Sequence, residues 1–223
     1  MALERFFRLS EARRNAILLK AAEAFAEQGY EGTSFNALLK TLKLSKSQAY
    51  YYFADKADLF VTACAACYEE YYAEVGRLPE PRDAEEFWSM VRDLCRIGVR
   101  FQRTHPIAAR LSRALAESPR REELGRASIN QAASTTERHT AWVQLGQRLG
   151  AVRTDLPLEL LVALSVDISA TTDVWFAARA EHTAESELEP IADQFADLSR
   201  RLFAPVPEAS YQAGAVRKHR RRS

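Results

Sequence analysis

Two helix starts that follow one another within residues 45 to 59 restrict the fold of this chain more than any other feature. Ser45 precedes Gln48 by three residues, the pattern in which a hydroxyl and an amide side chain cap backbone N–H groups at the same helix end. Asp55 and Asp58 repeat that spacing and begin the next helix. A short helix with its own cap, followed at once by another helix, predicts a compact cluster of short helices.

The short helix that begins after Ser45 carries groups that suit a nucleic acid. Its first turn holds an ammonium, a hydroxyl and an amide, on Lys46, Ser47 and Gln48. Three consecutive tyrosines follow at residues 50 to 52. At about 3.6 residues per turn they point in three directions, so at least one faces solvent or a partner. Together with the N–H groups of a helix N-terminus, these side chains can bind phosphates and read base edges.

The residues before this stretch predict two further helices. The first, at residues 10 to 28, has an apolar face formed by Ile17, Leu18, Ala21, Ala22 and Phe25. Gly29 follows, where a helix end favours a left-handed residue. The second helix, at residues 34 to 42, is separated from the next by a tight turn. Two short helices joined by a tight turn, with polar residues on the second, indicate a helix-turn-helix motif.

These segments, taken in register, resemble a known family. The matching pieces are Ile17-Leu18, Ala21-Ala22, Phe25, Gly-Tyr-Glu-Gly-Thr-Ser at 29 to 34, Leu-Ser-Lys at 44 to 46, Tyr-Tyr-Tyr-Phe at 50 to 53 and Lys-Ala-Asp-Leu at 56 to 59. Over residues 13 to 60 they resemble the N-terminal domain of the TetR family of bacterial transcription regulators. The resemblance implies a homodimer formed through the last two long helices. It also implies a small molecule that binds the C-terminal domain and weakens DNA binding.

The chain departs from the family pattern at two positions near the turn. The turn usually carries glycine where this chain has Lys43, and a small residue is usual where it has Leu39. If the turn keeps its left-handed geometry, Lys43 adopts a positive φ at a cost that glycine would not have. We expect both departures to be absorbed locally, with Leu39 altering how the two helices pack.

The sequence and the resemblance together predict the residues that contact DNA. They are Thr33, Ser34, Lys46, Ser47, Gln48, Tyr50, Tyr51 and Lys56. Lys56 lies at a helix N-terminus, where a cation opposes the helix dipole, and a nearby phosphate would offset that cost. Two alternatives stay open: Gln48 could serve only as a cap, and Thr33 and Ser34 are caps in either interpretation.

Composition indicates a soluble globular protein. Hydrophobic residues make up 47% of the 223 residues, and the net charge is +1. No uninterrupted apolar run approaches about 18 residues, and the N-terminus lacks the apolar core of a signal peptide. Three cysteines, an odd number, fit a reducing compartment. We therefore expect a cytoplasmic protein without a membrane span.

Helical periodicity continues along the rest of the chain, and no strand-like alternation occurs. Further helices are expected at residues 55 to 76, 83 to 103, 107 to 117, 119 to 149, 158 to 180 and 185 to 203. The predicted fold is all-α with about nine helices. A three-helix helix-turn-helix DNA-binding domain at 1 to 58 is linked by helix 55 to 76 to a helical ligand-binding and dimerisation domain at 59 to 204. Residues 205 to 223 are expected to be a disordered basic tail.

The predicted helix at 158 to 180 is apolar on almost every side, so it must be covered on every side. Its own domain can cover one side and a second subunit the other. The final helix offers Ile191, Phe195, Leu198 and Leu202 to complete a four-helix contact with a two-fold partner. A dimer also suits DNA reading, because two recognition helices on one face of the duplex match an inverted repeat.

Side chains that could line a ligand site lie between residues 83 and 204. The candidates are Trp88, Cys95, Phe101, His105, Asn130, Thr135, Trp142, Asp173, Trp175 and Phe176. Plain core packing is the alternative for each aromatic residue. Asp167 and Asp173 interrupt the most apolar helix, and a buried carboxylate without a partner is costly. They predict either a polar seam in the dimer interface or a site for a cationic or hydrogen-bonding ligand.

No catalytic, metal or cofactor site is predicted. Cys64 and Cys67 form a C-x-x-C pair, but they lie inside a predicted helix and have no second pair or histidine at ligand spacing. The sequence contains no Gly-x-Ser-x-Gly, no His-Glu-x-x-His and no phosphate-binding glycine loop. The chain is therefore not expected to be an enzyme.

The predicted function is a ligand-responsive repressor that leaves a palindromic operator when a small molecule binds its C-terminal domain. Its partners would be double-stranded DNA, a second copy of the chain and an unidentified effector. Helix 55 to 76 presents Tyr68, Tyr71 and Tyr72 to the second domain, so its tilt would couple the two domains. One alternative, supported only by the departures near the turn, is a helical small-molecule-binding protein or enzyme that has lost DNA recognition. Another is a nonspecific nucleic-acid binder led by the basic tail.

Overall fold

The computed structural model describes residues 2 to 120, 124 and 129 to 206. These residues form eleven helices and no strand. The helices are α1 (Glu4–Phe7), α2 (Glu11–Gly32), α3 (Phe35–Thr41), α4 (Lys46–Tyr52), α5 (Lys56–Cys67), α6 (Glu69–Val75), α7 (Ala84–Thr104), α8 (Pro106–Glu117), α9 (Ile129–Arg148), α10 (Leu158–Ala177) and α11 (Glu185–Phe203). The prediction of an all-α fold is confirmed.

Two differences raise the number of helices above the prediction. α1 lies in a segment for which no helix was predicted, and it packs against α4, with Leu3 N donating to Tyr52 O at 2.8 Å. The predicted helix at 55 to 76 is divided at Tyr68, which ends α5 and precedes α6. Tyr68 N donates to Ala65 O, three residues back, as at a tightened helix end. The prediction of one continuous linking helix is therefore wrong.

α1 to α5 enclose an aromatic core, and we refer to these helices as the reading head. Phe6, Phe25, Phe53 and Phe60 are fully buried there, and the ring centroids of Phe25 and Phe60 lie 4.9 Å apart. α2 is the central element, since it packs against α3, α5 and α8. Because α8 contributes Leu111 to the same core, the head and the rest of the molecule share packed side chains.

Two residues of the head adopt the left-handed backbone conformation. Gly29 has a φ of 69°, as expected near the end of the second helix, and a last helical turn follows it. Lys43, in the turn between α3 and α4, has a φ of 54°, so its predicted positive φ is confirmed. Leu44 N closes this turn by donating to Leu39 O at 2.9 Å, and both leucines are buried. The two departures from the family pattern are thus absorbed locally.

In the C-terminal part, α7 and α11 pack side by side. Arg96 donates to Asp193 at 2.8 and 2.7 Å, and Arg92 donates to Asp197 at 3.2 Å. α9 packs against α10, and α10 also packs against α7 and α8. Since α6 and α8 lie against α7 as well, α7 is the element around which the C-terminal helices gather.

The outer faces of α10 and α11 are apolar although they face solvent in a single chain. Leu160 is 44% exposed, Leu198 61% and Leu202 41%. By length and composition α10 could cross a membrane, and among the described residues it is the one helix that could. It packs against three other helices, so a partly buried helix of a bundle accounts for its composition. The predicted tail lies outside the described residues from residue 207 onward.

Candidate nucleic-acid interface and effector site

α4 is fixed by its first turn and by its inner side. Gln48 N donates to Ser45 Oγ at 3.2 Å, and Ser45 N donates to Gln48 Oε1 at 3.0 Å, so the predicted capping box is present. Ala49 and the following Phe53 are fully buried. With its end and its inner face held in this way, α4 presents its other side chains outward in a defined direction.

The outward side chains of α4 form a polar surface, which we call the reading face: Lys46, Ser47, Gln48, Tyr50 and Tyr51. Lys46, Ser47 and Gln48 are exposed, and the two tyrosines are 56% and 50% exposed. Because Gln48 Oε1 is used in the cap, its amide N–H groups are the part of the side chain directed to other partners. The face therefore offers donors from an ammonium, an amide and three hydroxyls.

Neighbouring helices hold the two tyrosines of the reading face. Tyr50 contacts Phe35 of α3 edge to face, with ring centroids 6.1 Å apart. The guanidinium of Arg5 in α1 lies 4.7 Å from the ring centroid of Tyr51. Sequence reasoning missed Arg5, which is exposed and brings a positive charge to this surface. The only signal in the sequence was a basic N-terminal segment, and the packing of α1 on α4 shows which residue is involved.

Lys56 begins α5, which Asp55 caps by accepting a hydrogen bond from Asp58 N at 2.8 Å. The Lys56 ammonium lies 4.4 Å from the ring centroid of Tyr30 in α2. Partial burial lowers the pKa of Lys56, and the nearby Glu31 carboxylate offsets part of that change. The Lys56 side chain therefore packs against α2 and does not extend fully into solvent.

Thr33 and Ser34 are placed differently from one another. Thr33 is 3% exposed, and its hydroxyl donates to Gly29 O at 2.7 Å. Ser34 is exposed and caps α3, with Oγ accepting from Ala37 N at 3.5 Å. Among the predicted DNA contacts, Thr33 therefore faces inward, because its hydroxyl satisfies a carbonyl near the end of α2.

The three tryptophans predicted as ligand contacts lie in two different places. Trp88 and Trp142 belong to a core cluster, with ring centroids 6.4 Å apart and both rings against Phe87. Trp88 is only 4% exposed. Trp175 is 36% exposed, and the Arg179 guanidinium covers its ring at 3.9 Å. Core packing, the alternative considered for each aromatic residue, accounts for Trp88 and Trp142.

Phe101 and His105 lie together beside two tyrosines. Phe101 is 4% exposed, and its ring stacks on His105 with centroids 4.2 Å apart. The same ring lies 5.2 Å from Tyr68 and 5.4 Å from Tyr71. The sequence indicated Phe101 and His105 as ligand contacts and the tyrosines only as a contact between domains. Their common location depends on how α6 lies against α7, which helical periodicity does not reveal.

Asp173 and Cys95 belong to the same region. Desolvation by the surrounding protein raises the pKa of Asp173 to about 7. After desolvation, the charge of Asp173 is the largest influence that raises the pKa of Tyr68, of Tyr71 and of Cys95. The carboxyl group therefore lies near all three. We call the space bordered by Asp173, Tyr68, Tyr71 and Cys95 the Asp173 cleft.

The remaining predicted ligand contacts lie in other surroundings. Phe176 is buried in a cluster with Val99 and Leu188. Thr135 Oγ1 accepts a hydrogen bond from Arg138 at 3.2 Å. The side chain of Asn130 lies outside the described residues.

The cysteines of α5 are half-buried free thiols. Burial raises the pKa of Cys64 above its ordinary value and that of Cys67 to about 11. Both thiols are therefore protonated near neutral pH, the form that is a poor nucleophile and a poor metal ligand. In the part of the chain that the structure describes, no group of three or more His, Cys, Asp or Glu side chains could hold a metal ion.

Two further grooves are open to solvent. One, of about 550 Å³, opens where α2 meets α5 and α8 and is lined by Leu18, Leu19, Cys67 and His105 among others. The other, of about 400 Å³, runs along residues 78 to 93. Asp173 lines neither of them. Both are surface grooves, whereas protein surrounds the Asp173 carboxyl closely enough to change its pKa.

Comparison with known proteins agrees with the geometry of the head. Residues 17–63 match the family model described as bacterial regulatory proteins, tetR family. The N-terminal domain of the chain is a TetR-family domain. The matched residues include the whole of α3, the turn and α4, which form the helix-turn-helix. TetR-family proteins are regulators and not enzymes, in agreement with the sequence.

Curated TetR-type relatives resemble this chain over part of their length. The HTH-type transcriptional regulator YezE of Bacillus subtilis is 37% identical over 84 residues, which cover 37% of this chain and 42% of that protein. The HTH-type transcriptional repressor AcnR of Corynebacterium diphtheriae is 38% identical over 74 residues, covering 32% and 39%. The chain thus spans about two fifths of the length of these relatives.

Solved TetR-family structures share the fold over most of the chain. A TetR family transcriptional regulator from Chloroflexus aurantiacus superposes with a TM-score of 0.51 at 20% identity, covering 91% of this chain and 98% of that one. The regulator FadR from Bacillus subtilis, in complex with stearoyl-CoA, gives a TM-score of 0.60 at 14% identity, covering 81% and 96%. The TetR fold therefore extends beyond the head into the C-terminal helices.

Proposed function

We propose that this TetR-family chain is a cytoplasmic, ligand-responsive repressor that binds an inverted-repeat operator as a homodimer. The reading face carries the proposal. Its side chains stand on a helix whose capping box and buried inner side hold it rigidly. A helix of this kind fits the major groove, where each base pair presents its own pattern of donors and acceptors. The relative AcnR is named as a repressor, which favours repression over activation.

Residues around the reading face would contact the phosphate backbone. Ser34 at the start of α3 and Lys56 at the start of α5 were predicted for this role, and the structure adds Arg5 beside Tyr51. Contacts to phosphates fix the position of a protein on the duplex, whereas contacts to base edges provide specificity. We therefore assign sequence reading to Lys46, Gln48 and their neighbours on α4.

The outer faces of α10 and α11 would form the dimer interface. On α10, Leu160, Ala163 and Asp167 share one exposed side, and on α11, Leu198 and Leu202 do the same. Burying apolar surface contributes about 25 cal/mol per Å², so pairing these faces across a two-fold axis favours a stable dimer. In this arrangement Asp167 lies in the interface and Asp173 does not.

Tyr68 offers a physical link between an effector and the head. It ends α5, the last helix of the head, and its hydroxyl forms a hydrogen bond with Ser112 of α8. A ligand in the Asp173 cleft that displaced Tyr68 would move the end of α5 and change the separation of the two reading faces. Regulation requires that the ligand prefer the state that does not bind DNA. The related fold of Bacillus subtilis FadR holds stearoyl-CoA, so a small molecule can occupy this fold.

A gel shift with DNA from upstream of the chain's own gene tests the proposal. We expect tight binding to that fragment and binding at least about 10³-fold weaker to a shuffled fragment of the same composition, in about 0.15 M salt. A Lys46→Ala, Tyr50→Phe double variant should lose the preference, whereas Lys20→Ala, an exposed lysine on α2, should keep it. Equal affinity for the two fragments would show a nonspecific binder, and no affinity for either would contradict the proposal.

A further inference from the structure

Asp173 is open to solvent, although it lies one turn before two buried residues of α10. Phe176 and Ala177, three and four residues further on, are 5% and 3% exposed, and residues at these spacings share a helix face. Asp173 itself is exposed, and the outer stripe that contains Asp167 is on another side of the helix. An exposed carboxyl group one turn before these buried residues, which the surrounding protein nevertheless desolvates, marks a cleft that enters the helical bundle.

The carboxyl group in this cleft has no partner within the described part of the chain. Neither a hydrogen bond nor an ion pair joins Asp173 to another described residue. Desolvation raises its pKa to about 7, and no cation among the residues that the structure describes offsets that rise. The nearby Arg138 guanidinium instead lies 4.2 Å from the ring centroid of Tyr72. Water reaches the carboxyl, but protein fills most of the space around it.

A second group in the same region has an unsatisfied acceptor. Ser112 Oγ donates to Ala108 O at 3.1 Å, so its single proton is used and the Tyr68 hydroxyl must donate to Ser112. Tyr68 then accepts from Gln102 Nε2 at 3.1 Å. Because Gln102 donates through Nε2, its Oε1 is the atom that remains to accept a hydrogen bond. That oxygen is buried in a residue that is 3% exposed, and no described residue bonds to it.

Aromatic rings form the remaining wall. The Tyr71 and Tyr72 centroids are 5.2 Å apart, and Tyr68 lies 6.1 Å from Tyr71 and 6.3 Å from Tyr72. Phe101 lies against Tyr68 and Tyr71. The face of an aromatic ring carries negative electrostatic potential and attracts cations. A carboxylate, an amide oxygen and ring faces together supply acceptors and negative potential for a cationic group, and the Arg138 guanidinium nearby is already held over the Tyr72 ring.

We infer that the Asp173 cleft binds a protonated organic amine with an apolar body. The Asp173 carboxylate and Gln102 Oε1 would accept its N–H groups, and the tyrosine rings would face its charge and its apolar part. The inference rests on the proposed function, because it names the chemical class of the effector. An acyl-CoA fits this cleft less well, since its phosphates and thioester supply acceptors where the cleft needs donors and positive charge.

Three indole compounds that differ in charge provide the test: tryptamine is a cation, tryptophol is neutral and indole-3-propionate is an anion. Calorimetric titration of the full chain at pH 8 should show tryptamine binding at least about tenfold tighter than tryptophol. Indole-3-propionate should bind most weakly. Asp173→Asn should remove most of the preference for tryptamine and leave the affinity for tryptophol within about twofold.

Asp93→Asn is the matched control, because it makes the same change at an exposed aspartate of α7 that lies outside both the cleft and the proposed dimer interface. It should leave all three affinities unchanged. Gln102→Leu should weaken tryptamine by a smaller factor than Asp173→Asn. The inference is overturned if wild-type chain shows no preference for tryptamine over tryptophol. It is also overturned if the preference survives in Asp173→Asn, or if stearoyl-CoA binds and tryptamine does not.

The same samples separate this inference from the proposed function. A chain that binds its upstream DNA specifically but shows no preference for the amine retains the repressor function and lacks the amine site. A chain that shows the Asp173-dependent preference but does not bind its upstream DNA keeps the amine site and contradicts the repressor function. Each failure therefore has its own readout.

Discussion

The polar groups of the reading face and those of the Asp173 cleft differ in whether they have hydrogen-bond partners within the protein. On α4, Ser45 and Gln48 cap one another within a single turn, and the neighbouring polar side chains are open to water. In the cleft, Asp173 and Gln102 come from helices far apart in sequence, and their free oxygens have no partner among the described residues. The hydrogen bonds that hold the reading face are therefore formed before DNA binds, whereas the cleft contains acceptors that a ligand can satisfy. Substitutions on the reading face should change DNA affinity without changing stability, and substitutions in the cleft should change both stability and ligand binding.

The largest loss of operator affinity should come from a substitution that prevents dimerisation and so separates the two reading heads. Leu198→Glu places a charge on the exposed side of α11, and sedimentation should show monomers at micromolar concentration. Operator affinity should fall by on the order of 100-fold, because each monomer contacts one half-site only. Leu19→Glu is the control, since Leu19 is 54% exposed on α2, away from the proposed interface, and Leu198 is 61% exposed. A wild-type chain that sediments as a monomer would contradict the dimer.

Smaller losses should follow from single changes on or beside the reading face. Arg5→Ala, beside Tyr51, should weaken binding to all DNA sequences by about tenfold and reduce the salt slope by about one, because its guanidinium would neutralise a phosphate. Gln48→Ala should instead reduce discrimination at one base pair by about 1 to 3 kcal/mol. The melting temperature should stay unchanged in the first variant. In Gln48→Ala it should fall only by the contribution of the lost cap. Unchanged affinity in both variants would place DNA on a different surface.

Asp173→Asn should produce a pH-dependent gain in stability. The folded pKa of about 7 lies above the unfolded value near 3.9. Below about pH 4 the carboxyl is neutral in both states; between about pH 4 and 7 the unfolded chain loses its proton first, so stability falls as pH rises. The full shift corresponds to about 4 kcal/mol, and because water reaches the carboxyl we expect about 1 to 2 kcal/mol at pH 8.

Chemical denaturation at pH 4.0 and pH 8.0 checks this expectation. Asp173→Asn and wild type should be equally stable at pH 4.0, and the variant should be more stable at pH 8.0. The control, Asp93→Asn, should match wild type at both values. A variant that is less stable than wild type at pH 8.0 would mean that the carboxylate has a stabilising partner, and the contrast between the two regions would fail.

The smallest effect is expected at Lys43, where the head itself contains strain. Lys43→Gly should stabilise the fold by about 0.5 to 1 kcal/mol, because glycine adopts a φ of 54° without steric cost. If Lys43, which is exposed beside the reading face, also contacts a phosphate, operator affinity should fall several-fold in the same variant. Thermal unfolding and gel shifts on one preparation measure both quantities. A loss of stability would show that the lysine side chain supports the turn.

The parts of the fold that could be predicted from sequence depend on neighbours within one helical turn. The capping box of Ser45 and Gln48, the Asp55 cap and the positive φ of Lys43 all belong to this class. The inward turn of Thr33 is also local, but its hydroxyl had two possible partners, and the sequence could not decide between a phosphate and the Gly29 carbonyl.

The cleft could not be predicted, because its residues meet only after α6, α7, α8 and α10 have packed. Tyr68 illustrates the difficulty: the break between α5 and α6 occurs at a tyrosine, without the proline or glycine that would signal it. Its hydroxyl partners, Ser112 and Gln102, lie 44 and 34 residues away in sequence. Asp173 was recognised as unusual in an apolar helix, but the sequence left both an interface and a ligand site open for it.

The most direct test of the account is whether the two regions affect each other. Tryptamine affinity should be measured by calorimetry with and without saturating DNA from upstream of the chain's own gene. Operator affinity should then be measured with and without saturating tryptamine. Linkage requires both affinities to fall by the same factor, which we expect to be about fivefold or more, and the factor should approach one in Asp173→Asn. Equal tryptamine affinities with and without operator would contradict the account, because the cleft would then be a site that does not regulate the head.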